Sequence, residues 1–115
     1  MINITVVEEK IKIDDIEYTF RLDFKALIKF EEKYDNALEL FNEFLQGKKI
    51  YNCIVKILSC SCVEKDFKEE ELTEKLGFSL PVMKIVDQVT THLVMGNLQE
   101  KKEESTVKKN SNEKN

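Results

Sequence analysis

The sequence predicts an α+β domain over residues 1–99, with an N-terminal β-hairpin followed by a compact bundle of four or five α-helices, and a disordered polar tail over residues 100–115. Three observations predict it. Apolar and polar residues alternate up to Leu22. From Phe24 onward the apolar residues recur every three or four positions. One helical stretch, about 49–63, is apolar nearly all round. A period of two marks a half-buried strand, a period near 3.6 an amphipathic helix, and an all-round apolar helix a central one.

The strands come first. Ile11 and Ile13 alternate on one side of Asp14-Asp15, and Ile16, Tyr18, Phe20 and Leu22 alternate on the other. Asp14-Asp15 supplies the tight turn, because aspartate tolerates the left-handed backbone that a two-residue hairpin needs. Ile2, Ile4 and Val6 continue the alternation and predict a third strand over residues 2–7.

Asp23 is placed to cap the first helix through its carboxylate. Phe24, Leu27, Ile28, Glu31 and Tyr34 follow at helical spacing with Phe30 beside them, and Asp35-Asn36 breaks the run. The second helix is predicted from Ala37 to Gln46, with Leu38, Phe41 and Leu45 on one stripe and Leu40 and Phe44 next to it, closed by Gly47. The third, about Lys49 to Val63, has only the narrow polar stripe Asn52, Lys56 and Ser59, so the others should pack about it. A short fourth helix runs from Phe67 to Leu76, with Asp66 as cap and Gly77 as stop. Ser79 caps the fifth, with Pro81 in its first turn and Val82, Ile85, Val86, Val89 and Leu93 as core stripe, ending near Gly96-Asn97. Residues 100–115 hold one aliphatic residue, Val107, too little apolar surface to offset the entropy of ordering.

Charge and cysteine content exclude several function classes. Acidic residues outnumber basic ones, 22 to 18, for a net charge of −4, whereas phosphate binding needs a basic footprint. No segment approaches the length of a membrane span, and no basic stretch followed by an apolar one opens the chain. Cys53, Cys60 and Cys62 are an odd set, which predicts free thiols in a reducing cytoplasm.

Catalytic constellations find little support. The single histidine, His92, has no nucleophile motif to work with. Cys60 and Cys62 are one residue apart, so on a helix their sulfurs diverge rather than converge on a metal, and small apolar core residues are the expected role. Glu69-Glu70-Glu71 sits in the first turn of a helix, where the dipole favours negative charge. No cofactor and no metal site is expected. The segment from Glu70 to Ser79 has the look of the first helix and turn of a helix-turn-helix, but Asp66 to Glu100 carries seven acidic and three basic side chains and would repel DNA.

The junction Leu22-Asp23-Phe24-Lys25-Ala26-Leu27-Ile28-Lys29-Phe30-Glu31-Glu32, followed by the turn Asp66-Phe67-Lys68-Glu69-Glu70-Glu71-Leu72 and a long last helix, resembles the phage tail assembly chaperones. The resemblance covers about residues 10–95 in order and spacing. It implies a non-enzymatic protein of the bacterial host cytoplasm that binds the tape measure protein and keeps it soluble while the tail is built. It also implies that an extended product, made by ribosomal frameshifting, recruits the tail tube protein; Lys101-Lys102 and Lys108-Lys109 supply lysine codons of the kind on which ribosomes slip. Self-association is compatible with such a role. A structural tail subunit or a small helix-turn-helix regulator are the alternatives. Adaptable side chains suit a surface that accepts varied helices, so Phe41, Phe44, Phe67, Phe78, Met83 and Met95 are the candidate partner-binding residues.

Overall fold

A computed structural model describes the backbone of residues 1–110 and the side chains of residues 1–96. Of the predicted tail, 100–115, residues 100–110 are described in backbone only and 111–115 lie outside the described residues. Within them, an antiparallel hairpin leads into five helices, in the predicted order.

The hairpin pairs β1 (Glu8–Ile13) with β2 (Ile16–Arg21), Ile13 opposite Ile16 and Glu9 opposite Phe20. Ile11, Ile13, Tyr18 and Phe20 are buried on one face. Ile16, at the hairpin tip, stays exposed. Asp14 and Asp15 both adopt positive φ, 52° and 65°, the conformation of a type I′ turn. Glycine enters that region without the Cβ penalty of about 1–2 kcal/mol, which outweighs its greater unfolded-state entropy of about 0.5–1 kcal/mol, so Asp15→Gly is expected to stabilise the protein by up to about 1 kcal/mol in urea titration. A loss of stability would show that the aspartate side chain itself holds the turn.

The third strand predicted over 2–7 is absent; residues 1–7 are in no regular structure, and Ile2 and Ile4 are exposed. The reason is connectivity. Thr5-Val6-Val7-Glu8-Glu9 runs straight into β1 and contains no turn residue that would fold it back along its own hairpin. The far edge of β2 is meanwhile occupied by the chain leaving the third helix. Phe20 bridges to Cys62, Val63 N–H donates to Thr19 C=O at 2.8 Å, and Thr19 N–H donates to the Glu64 carboxylate at 2.7 Å. That last bond draws the Glu64 carboxyl below its usual range.

Helix α1 (Phe24–Lys33) begins at Asp23, whose Oδ1 accepts from Ala26 N–H at 2.9 Å. Helix α2 (Ala37–Leu45) ends where Gly47, at φ 79°, lets Lys48 N–H reach Glu43 C=O at 2.8 Å and Gly47 N–H reach Phe44 C=O at 3.1 Å. This is the double closure of a Schellman motif. In both helices the buried residues lie beside the principal apolar stripe of the sequence. Ala26 and Phe30 face inward in α1 while Phe24 and Ile28 are exposed; Ala37, Leu40 and Phe44 face inward in α2 while Leu38 and Leu45 are exposed.

Helix α3 (Ile50–Ser61) is the axis of the domain and meets α1, α2, α4, α5 and β2. Cys53, Ile54, Ile57, Leu58 and Cys60 are buried along it. Ser59, predicted on the polar stripe, is buried too, its hydroxyl donating to Lys56 C=O at 3.0 Å. Helix α4 (Glu69–Leu76) starts two residues later than predicted, because the Asp66 carboxylate is taken by Lys29 of α1 instead of capping. Phe67 is thereby left in the connection and drops fully into the core. Helix α5 (Leu80–Asn110) is capped by Ser79, whose Oγ accepts from Val82 N–H at 3.2 Å, and leaves helical geometry at Gly96, where φ is 55° and ψ −146°. Val86, Val89 and Leu93 are buried; Ile85, predicted in the same stripe, is exposed.

Candidate partner-binding grooves

Among the described residues, apolar side chains line two open grooves, and each follows from a local feature of the chain. Gly77 ends α4 with φ 61°, and Ser79 at once starts α5. Phe78 is pinned between these two caps and projects outward, 81% exposed. One turn into α5, Val82, Met83 and Val86 run beside it, and across from them lie Tyr51, Ile54 and Val55 of α3. Thr73 and Leu76 of α4 close the end. These residues enclose a groove of about 300 Å³ whose lining contains no charged side chain. Its base is well packed, since Ile54 and Val86 belong to the core.

The second groove arises from the apolar stripes that α1 and α2 turn outward. Phe24 and Leu27 of α1 stand opposite Leu38 and Phe41 of α2, with Leu22, Leu93 and Val94 beneath. The space is about 330 Å³. Phe24 and Leu38, at 76% and 69% exposure, form its open rim.

The six candidate residues separate accordingly. Phe78 and Met83 share the first groove, and Phe41 lines the second. Phe44 and Phe67 are buried in the core and offer no surface to a partner. Phe44 turns inward because α2 seats Ala37, Leu40 and Phe44 against α3. Phe67 turns inward because its ring packs edge-on to Tyr18 at 5.1 Å. Met95 is half-buried and lines neither groove. Tyr51, Val55, Phe24 and Leu38 are groove residues that reading the sequence did not single out. A signal for the last two was present: α1 and α2 each carry more apolar residues than one stripe can hide, so one stripe had to remain outside.

Several polar groups outside the grooves are engaged with one another. Tyr34 donates its phenol proton to Glu69, and burial together with that carboxylate holds the phenol above its ordinary pKa. Lys56 lies over the Tyr34 ring at 5.5 Å and approaches Glu69 at 3.8 Å. Lys65 pairs with Glu71 at 2.7 Å, and Glu9 meets Nδ1 of His92. All three cysteines are free thiols, each pushed up in pKa chiefly by burial, which suits packing and not nucleophilic chemistry. Among the described residues no cluster of histidine, cysteine and carboxylate side chains could hold a metal ion, and no helix is long and apolar enough to cross a membrane.

Compared with known proteins, the chain matches no family model, no curated protein and no solved structure.

Proposed function

We propose that this protein is a non-enzymatic phage tail assembly chaperone, acting in the host cytoplasm, which binds apolar helical segments of the tape measure protein and keeps them soluble until the tail tube encloses them. The observation that carries the reading is the uncharged groove between α3, α4 and α5, with Phe78 on its rim and Met83 along its wall. An amphipathic helix presents anchors at i, i+3 or i+4, and i+7, and an apolar cleft with a well-packed floor and a thioether side chain accepts such anchors from many sequences. The rim of Phe24 and Leu38 on the second groove offers a further place to hold a long helical client. A net charge of −4 keeps a complex with an apolar client dispersed in water. The resemblance of the Leu22–Glu32 junction and the Asp66–Leu72 turn to the tail assembly chaperones names the client; the groove supplies the chemistry.

The experiment is co-expression with the tape measure protein encoded in the same tail gene cluster. The expected result is that the tape measure protein is recovered soluble and co-purifies with this chain. If it remains insoluble with and without the chain, or is soluble alone and does not associate, the reading fails.

A further inference from the structure

The hairpin has two edges, and among the described residues only one is in use. Thr19 of β2 turns both its backbone groups toward the segment after α3, its N–H to Glu64 and its C=O to Val63. Lys10 is paired directly opposite Thr19, so its own N–H and C=O point out of the other edge, as do those of Glu8 and Lys12 at the alternating positions. No described residue bonds to them. An open strand edge is a template for another strand.

The segment before β1 has the composition of that strand. Met1-Ile2-Asn3-Ile4-Thr5-Val6-Val7 is rich in β-branched residues, and Ile2, Ile4 and Val6 are exposed at alternate positions, in phase with exposed Glu8, Lys10 and Lys12. Lacking a turn, it cannot lie against its own β1. It can lie against the β1 of another copy.

We propose that two copies of this chain pair through their β1 edges, residues 2–12 of one running antiparallel to residues 2–12 of the other. The two-fold axis falls at Val7, half-buried against the core. Ile2 and Ile4 of each copy then stand opposite Lys12 and Lys10 of the other, and Val6 opposite Glu8. The arm and β1 are of matching length, so every outward backbone group of β1 meets one from the arm. The β-branched side chains cover the aliphatic stems of the lysines while the ammonium groups remain in water. No like charges face each other directly, and the contact is isologous, so it closes at two copies instead of growing into a fibre. The pairing joins two hairpins into one four-stranded sheet and uses no residue that lines either groove. It is independent of the chaperone reading.

The test is sedimentation velocity of the full chain across a concentration series, with Lys10→Pro and Ile4→Glu beside it. Proline at position 10 removes an N–H that makes no bond within the hairpin, so the monomer should keep its fold and melting behaviour. The unmodified chain is expected to dimerise, and each variant to raise the dimer dissociation constant by about tenfold or more. Ile4 lies outside the hairpin, so its variant keeps the test valid if Lys10→Pro disturbs folding. A chain that is monomeric throughout overturns the proposal. So does a dimer that both variants leave intact, since association would then use another face.

Discussion

Phe67→Ala is expected to cost about 3–5 kcal/mol of folding stability, read from urea or guanidinium titration. The ring is fully buried in the connection between α3 and α4. It meets Tyr18 edge-on at 5.1 Å, and Lys65 lies 5.5 Å above it. Truncation leaves a cavity between the hairpin and α4, and it also removes an aromatic contact of about 0.5–1.5 kcal/mol. A domain of this size has roughly 5–15 kcal/mol to lose, so the variant should be marginally folded at 37 °C. Near-native stability would mean that Phe67 is not the pin joining hairpin and helices, and would return it to the pool of surface residues from which the structure removes it.

Thr90→Val should act in the opposite direction. Thr90 lies on α5 between the core residues Val86, Val89 and Leu93, and is fully buried. Its hydroxyl has no hydrogen-bond partner. A buried, unsatisfied hydroxyl costs about 1–3 kcal/mol, and valine replaces it with a methyl group of similar shape whose χ1 is held to one rotamer in a helix. The variant is expected to gain roughly that amount in a denaturant titration. A loss instead would show that the hydroxyl is satisfied in solution, for example by a trapped water.

The parts of the fold legible in the sequence are those governed by neighbours along the chain. The Asp14-Asp15 turn, the Asp23 and Ser79 caps and the Gly47 stop each depend on contacts a few residues away. The centrality of α3 follows from its own composition. What was not legible depends on residues far apart. Asp66 fails to cap because Lys29, 37 residues earlier, takes its carboxylate. Phe30 and Ala26, and not Phe24 and Ile28, face inward because α3 packs on that side of α1. Cys62 to Glu64 pairs with β2 through contacts some 45 residues apart in sequence. The groove was half legible for the same reason. Phe78 lies between two visible caps, so its exposure is a local matter, whereas Tyr51 and Val55 reach the groove through the packing of α3 on α5.

The outward apolar stripes are part of the surface on which the proposed client binding rests. A sequence in which α1 and α2 each hide one apolar stripe must leave a second stripe outside, and Phe24 and Leu38 are that stripe. Exposed apolar residues gathered along a cleft are uncommon on a protein that works alone. Their cost in solubility is offset by the high charge content of the chain, 35% of all residues.

The central claim, that the α3–α4–α5 groove is where an apolar helical client binds, is tested most directly by Phe78→Glu. The side chain is 81% exposed and contributes little to the core, so thermal melting should stay within the range of an ordinary surface substitution. Co-purification of the tape measure protein, scored against the unmodified chain and a charge-matched control at Gln88 on the solvent side of α5, is the readout. The account predicts that Phe78→Glu loses the client by about tenfold or more in affinity while Gln88→Glu retains it. Full retention by a folded Phe78→Glu variant would contradict it.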